Sequence, residues 1–424
     1  MPAISKKRWE VRHSLAYRLS DMLSVGSMTG TVGTTSLESR NLTPQDANLL
    51  VGSELTIYSG APLGESRIIT SASVYTAPGS MGRVWFKEAL PSSPSAAGFE
   101  VHRKHRAAQY NEAINAALRG AQRSHTFSKR DFSNILGARL RNGTFHLWAN
   151  GTSSAPDSWT LYGTGGAVAR ESSLIYQGLY SARITADVMT TTGLRQSIPD
   201  YMRFSGKTVS IYAKVFCATA DQVRLVLTDG VTTWNSDYHN GNGINDMKLE
   251  SKTLASAITA LTISVEILGG AGSISAYALK FWDSLGADLY EYPIPSGYRW
   301  IRRLWQEGDV DNTFVPIPDD WWYVMNEGIG TTRQLRFHEP VFSPTNGKVL
   351  MIEGNAYPTE PTDDSDTIDI DPEYVVLQAG ADLLMSVDRP GEQAMASRWR
   401  DAALRLGQKS QVRMPPNAKR VEDM

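Results

Sequence analysis

A chain of 424 residues, 41% hydrophobic and 20% charged, has the make-up of a globular protein and is long enough for two or three domains. Its formal net charge of −2 excludes a protein that coats nucleic acid along its whole surface. A single cysteine, Cys217, excludes an intramolecular disulfide and a thiolate metal centre.

The charge is unevenly placed. Lys6, Lys7, Arg8 and Arg12 crowd the start, Lys409, Arg413, Lys419 and Arg420 crowd the end, and an acidic run, PTDDSDTIDID, lies between Pro361 and Asp371. Basic termini on a near-neutral body predict arms that reach an acidic surface, of protein or of nucleic acid; solvated, frayed ends are the alternative. No apolar run is long enough to span a membrane, and the start lacks a signal peptide's apolar core. Synthesis in a cytoplasm without membrane insertion is the expectation.

In chain order, residues 5–23 carry Trp9, Leu15, Leu19, Met22 and Leu23 near helical spacing, which predicts a helix. SVGSMTGTVGTTS follows as loop or weak strand. LVGSELTIYSG, GESRIITSASV, GRVWFKEAL and AAGFEVHRK then read as four strands bounded by Gly or Pro. Residues 107–119 form a helix with Tyr110, Ile114 and Leu118 at four-residue spacing. From Asn142 to Asp288 the pattern changes to short alternating strands punctuated by Gly, Asn, Asp and Ser, the signature of an antiparallel β-sandwich. Cys217 falls in one of these strands, as a buried and inert thiol.

From Leu289 the segments YEYPIPSGYRWIRRLWQ, PDDWWYVMNEG, RQLRFHEP and GKVLMIEGNAYP predict short antiparallel strands. They would pack Trp300, Trp305, Trp321 and Trp322 among themselves, as core or subunit interface. The acidic run feeds a helix with Asp371 as N-cap and Pro372 at its first position. A second helix, from Glu392 to about Leu406, carries Met395, Trp399, Ala402, Ala403 and Leu406 on one face, giving an αα-hairpin. The closing GQKSQVRMPPNAKRVEDM has no periodicity and reads as an arm or tail.

Few residues point to chemistry. His102 and His105 sit three apart, but Arg103, Lys104 and Arg106 around them disfavour a bound cation. No HExxH, GxSxG, Walker or calcium-loop motif occurs, and GTGG at Gly163–Gly166 reads as a hairpin turn. Glycoside hydrolysis needs two acids held across a cleft, and Asp229, Asp237 and Asp246 lie in a loop where no acid stands out. That loop, TDGVTTWNSDYHNGNGINDMK, is nonetheless the sandwich's candidate binding segment. Trp234, Tyr238 and His239 offer flat faces to a sugar ring, and Asn235, Asn240 and Asn242 offer amides. A long solvated connection is the competing reading.

Two resemblances emerge. SSAPDSWTLYGTGGAVARES, QGLYSARIT, LRQSIPD and SGKTVSIYAKV resemble the carbohydrate-binding jelly-rolls attached to glycoside hydrolases. Members of that family often hold a structural calcium through an aspartate of the last strand. Here Ala276 to Leu279 stand in its place, so no cofactor is expected. The flanks, with GSELTIYSGAPLGESRIITS, EALPSSPSAAGFEVHR, YNEAINAALR, VLMIEGNAYP and IDIDPEYVVLQAGADLLM, resemble head-to-tail connector or adaptor proteins of tailed-phage necks.

Together the resemblances imply a mixed, mainly β chain. An α+β connector body, 1–141 and 289–424, would carry an inserted jelly-roll, 142–288. They further imply a non-enzymatic virion protein assembled in the host cytoplasm, in a ring of twelve copies beside the portal and other neck or tail proteins. In that picture Leu383, Leu384, Trp399 and Leu406 of the hairpin face ring neighbours and portal. The basic arms at Lys6–Arg12 and Lys409–Arg420, Arg413 among them, reach adjacent subunits or the packaged DNA. The alternative is a tail or fibre component that recognises a surface glycan through Trp234, Asn235, Tyr238 and Asn240.

Overall fold

The computed structural model describes residues 6–421 apart from 30–32, 43–46, 74–80, 123–124, 271, 287–288, 311–312, 326–332, 340, 387–389 and 411–413. The chain divides into two compact units. One is Met1–Phe127 with Tyr357–Arg413, the other Ser128–Ala356 with Met414–Met424. These divisions replace the expected boundaries at 141/142 and 288/289 for a physical reason. Phe127–Ile135, ahead of the sandwich, shares a sheet with Tyr298–Glu307 and Val349–Ala356, which follow it.

Among the described residues the first unit holds four α-helices, α1 (Arg8–Arg18), α2 (Ala107–Ala121), α3 (Pro372–Met385) and α4 (Pro390–Ser410). Tyr110, Ile114 and Leu118 bury one face of α2 as their spacing predicts. In α3 nearly every apolar residue is buried, because α1, α2 and α4 all pack on it. Its start is the one expected: the Glu373 N–H donates to Asp371 Oδ1 at 3.0 Å. Asp371→Ala should therefore lower stability by about 1 kcal/mol, read as a small shift of the urea midpoint with unchanged slope.

α1 is shorter than its periodicity suggests. Ser20 takes a left-handed backbone, φ 53°, and the next residue, Asp21, accepts the N–H groups of Arg103, Lys104 and His105. Met22 and Leu23 consequently belong to a strand, Met22–Ser27. That strand edges a six-stranded sheet, followed by Ser95–His102, Glu54–Ala61, Ser66–Ser73, Gly82–Phe86 and Ser36–Ser39. Leu37, Leu55, Ile57, Ile69, Val84 and Phe99 form its core.

The two basic and acidic tracts of the first unit are spent on each other. Arg12 is fully buried. Its Nη1 and Nη2 donate to the two oxygens of Asp364, each at 2.7 Å, and its Nε donates to Glu100. Arg8 donates to Asp364 at 3.0 Å and to the Pro361 carbonyl at 2.9 Å. Lys6–Lys7 pairs as a short strand with Thr367–Ile368 of the acidic run. The expected N-terminal arm is therefore an internal clasp, at least from Lys6 to Arg12.

The hairpin residues assigned to an interface also turn inward. Leu383 and Leu384 are buried in the helical core. Trp399 packs over Gly380, so closely that a Cβ there would collide with its ring, and Leu406 is partly buried in the same core. Met395 is exposed, and Ala396 takes its place inside. Arg413 lies outside the described residues.

The second unit contains a β-sandwich of two five-stranded antiparallel sheets. One sheet runs Gly166–Glu171, Ser181–Ala186, Ile274–Asp283, Thr208–Cys217, Gly243–Thr253; the other runs Thr233–Asn235, Val223–Thr228, Thr262–Leu268, Thr191–Ser197, Thr160–Gly163. From Ser181 onward the chain crosses between sheets in the eight-strand order of a double-sheet jelly-roll, and the two strands ahead of it add one edge to each sheet. Gly163–Gly166 is accordingly no hairpin: its glycines, φ 97° and 66° at Gly163 and Gly165, carry the chain from one sheet to the other. Ile211, Val215, Cys217, Leu225, Ile263, Val265 and Phe281 fill the space between the sheets.

A second β layer follows. Phe314–Ile317, Tyr298–Glu307, Val349–Ala356 and Phe127–Ile135 form one sheet, and Glu291–Pro293, Gln334–Phe337 and Trp322–Met325 another. Lys419–Arg420 pairs with the long strand Tyr298–Glu307 and Val421 is buried in the core, so this part of the closing segment is no free arm. The four tryptophans do not stack on one another among the described residues. Trp322 is buried beside Phe337, and the ring contacts run through Phe337–Phe342, Trp321–Phe342 and Tyr292–Phe337. Trp305 instead donates from Nε1 to Glu353 at 3.0 Å. No helix among the described residues is long and apolar enough to cross a membrane.

Candidate functional site

The loop from Asp229 to Lys248 is built on its first residue. Asp229 is buried, and its carboxylate accepts the N–H groups of Val231 (2.9 Å), Thr232 (2.6 Å) and Ala255 (2.8 Å). Burial would raise this carboxyl, but the three backbone donors outweigh it and hold it below the ordinary aspartate value. With its oxygens used in this way Asp229 shapes the turn.

Thr233–Asn235 then pairs with Val223–Thr228 at the edge of the sheet, with Trp234 opposite Leu227 and Asn235 opposite Val226. Strand alternation decides the rest. Leu227 points into the sandwich core, so Trp234 does too, and its ring packs there. The ring is partly buried, which leaves less of it open than of Tyr238. Asn235 stays on the outer side and exposed. His239 is also internal: Nδ1 accepts the Gly241 N–H at 3.0 Å, which leaves Nε2 to donate to the Val215 carbonyl at 3.1 Å.

The remaining expected residues come together. A cavity of about 310 Å³ is walled by Asp237, Tyr238, Asn240, Asn245, Asp246 and Lys248, with His239 and Met247 at its back. That volume sits at the small end of the ~300–1,000 Å³ usual for ligand pockets. Asn240 Oδ1 accepts from the Asn242 N–H (3.0 Å) and the Asn245 amide, which fixes its NH₂ as the outward donor. Asp246 is engaged by Lys214 at 2.6 Å, and Lys248 by Glu250 at 2.9 Å. Tyr238 is 41% exposed, with the Arg224 guanidinium 5.7 Å from its ring centroid over one face.

Beyond Tyr238 the site continues as a polar chain across the outer face of the sheet, which the sequence pattern did not single out. The Tyr238 hydroxyl accepts from Arg224 at 3.2 Å, Arg224 donates to Glu266 at 2.8 and 2.7 Å, and Tyr162 donates to Glu266 at 3.1 Å. Burial, then Glu266, pushes the Tyr162 phenol well above its ordinary range, so it stays a donor. Arg195 lies over the Tyr162 ring at 5.2 Å. The ring itself lies across Gly193, where any side chain would collide with it and with the Val265 carbonyl. The available signal was the alternation of Arg195, Gly193 and Glu266 on outward positions of paired strands.

His102 and His105 hold no shared ligand position. His102 is buried with Nε2 3.3 Å from Glu100, and His105 packs edge-on against Tyr110. Among the described residues no three His, Cys, Asp or Glu side chains are placed to hold a metal ion. Ala276, Ala278 and Leu279, where a calcium-binding acid was sought, are buried in the apolar interior. The last-strand Asp283 is occupied by the N–H groups of Arg139, Leu140 and Leu285.

No protein-family model and no curated protein matches the chain. Solved structures do. The chain is similar to a carbohydrate-binding module, TmCBM61, determined in complex with β-1,4-galactotriose, with 15% identity over 34% of this chain and 97% of that one and a TM-score of 0.27. It is similar to the CBM22-1 xylan-binding domain of Paenibacillus barcinonensis Xyn10C, with 15% identity over 35% and 95% and a TM-score of 0.26. It is also similar to the enzymatically active domain of tailspike protein 4 of bacteriophage CBA120, with 14% identity over 34% and 21% and a TM-score of 0.28.

Proposed function

We propose that the chain is a glycan-recognising tail or fibre component of a tailed-phage virion, whose jelly-roll takes up a saccharide without cleaving it. The observation that carries the reading is the cavity at the sandwich edge. An exposed Tyr238 ring stands beside the fixed Asn240 amide and the charged pair Lys214–Asp246. An aromatic face stacks on a pyranose ring, and convergent amides and charges select its hydroxyls. The two carboxylates of the wall, Asp237 and Asp246, are both exposed, and Asp246 is already paired, which supports binding over a two-acid cleavage mechanism. The virion setting rests on the resemblance of the flanking segments to phage neck proteins.

A glycan array tests this reading. Wild-type protein should score on a defined set of surface saccharides, Tyr238→Ala should lose at least about tenfold in affinity, and Trp234→Ala should lose stability first, because its partly buried ring packs against the core. A blank array at high protein concentration would count against the proposal.

One observation favours a second reading, a head-to-tail adaptor ring. The first unit is assembled from both ends of the chain, as a connector body interrupted by an insertion would be. That reading calls for rings, with or without portal protein, in native mass spectra or negative stain; monomers under every condition would remove it.

A further inference from the structure

A second cavity of the second unit, about 410 Å³, lies between the start of the sandwich and the strands that follow it. Arg139, Arg141 and Arg203 line it, with Asn134, Gln334, Asp200 and Glu291. The backbone that carries the first two arginines is clamped. Arg139 and Leu140 donate their N–H groups to the buried Asp283, at 3.0 and 2.8 Å. The Gln196 side chain accepts the Arg141 N–H at 2.8 Å and donates to the Arg141 carbonyl at 2.9 Å. Arg203 comes from the short turn Tyr201–Phe204.

No ion pair engages any of the three guanidinium groups among the described residues. Arg139 stacks at 5.8 Å over Phe204, and its Nε is shut away from solvent without a partner. A buried donor left unpaired is costly, so a site that sets this Nε beside two exposed guanidinium groups is made for an anion to fill. Of the two acids in the wall, Glu291 is taken by Arg336 at 3.4 Å. With Glu291 offset by Arg336, the three arginines face one remaining wall carboxylate, Asp200, which leaves two net positive charges. That balance suits a small anion. Guanidinium forks match a carboxylate, while Asn134 and Gln334 offer amide groups for hydroxyls.

We propose that this cavity binds the carboxylate of an acidic saccharide unit, a uronic acid. The site is separate from the Tyr238 cavity and does not depend on it.

The test is calorimetric titration of the full chain with sodium glucuronate at constant ionic strength, with methyl glucoside, inorganic sulfate and a short acidic peptide as comparison ligands. Glucuronate should bind and methyl glucoside should not. The double variant Arg141→Ala, Arg203→Ala, at two exposed positions, should weaken glucuronate at least about tenfold without changing the melting temperature, and Tyr238→Ala should leave it unchanged. Loss of glucuronate binding in Tyr238→Ala alone would place the ligand in the other cavity and overturn the proposal. So would absence of glucuronate binding, equal uptake of methyl glucoside, tighter binding of sulfate (an adventitious ion only), or preference for the acidic peptide.

Discussion

Replacing Arg12 by Met is expected to cost about 3–5 kcal/mol of stability, the largest single loss in the first unit. Arg12 is the common partner of Glu100 and Asp364, both buried. Its removal takes the guanidinium from the buried Glu100 and leaves Asp364, near the chain's end, with Arg8 alone. The same residue ties α1 to the sheet and to the acidic run, so melting followed by near-ultraviolet dichroism should show the first unit unfolding at lower temperature. A loss below about 1 kcal/mol, the range of exposed pairs, would contradict this role.

The network also sets a pH dependence. Burial alone would raise the Glu100 carboxyl, but Arg12, then His102 and His13, outweigh it and hold it far below its ordinary value of 4.5. Asp21 is likewise lowered, its desolvation outweighed by Tyr110 and the N–H groups of His105 and Lys104. Groups depressed in the folded state bind protons more readily when unfolded, so their stabilisation is complete above about pH 4.5 and drains away as the pH falls below it. Acid titration of the melting temperature should show that slope in wild type and a shallower one in Arg12→Met.

The second large effect lies in the other unit. Lys280 of the sandwich donates to Glu307 of the adjoining β layer at 2.7 Å, and both are buried. Glu307 also accepts the Val349 N–H at 2.8 Å. Burial draws the Lys280 ammonium below its ordinary pKa, with Glu307 opposing the shift. Glu307→Ala leaves that ammonium and the Val349 N–H without a partner and should cost about 3–5 kcal/mol. The double variant Lys280→Met, Glu307→Leu should recover most of the loss, since two apolar side chains of similar volume replace a desolvated pair. Equal loss in the single and double variants would mean that packing at this joint, not the charges, is what counts.

The features legible in the sequence are the local ones. The Asp371–Pro372 start of α3, the Tyr110–Ile114–Leu118 stripe and the alternating strands of the sandwich each follow from residues within a few positions of one another. The misreadings all depend on distant partners. Nothing near Arg8 and Arg12 announces that Asp364 waits more than 350 residues away, so their charge looked like an arm. α1 stops where Asp21 meets residues 103–105. One residue of rotation puts Ala396 rather than Met395 inside.

The same logic divides the candidate site. Composition drew attention to the 229–248 segment, and Tyr238 and Asn240 share a cavity there. The face of an edge strand is fixed by its register, however, and the Leu227 opposite Trp234 cannot be identified from the loop alone. The arginine cavity was hidden because Arg139 and Arg141 meet Arg203 and Gln334 only through the packing of the second β layer on the sandwich.

Hydrogen–deuterium exchange of the full chain, with and without a saccharide chosen from the array, reads directly whether the Tyr238 cavity takes up a glycan. Added protection is expected in residues 237–248, centred on Tyr238 and Asn240, and none in the helices of the first unit. Protection confined to other segments, or no change at saturating saccharide, would contradict it.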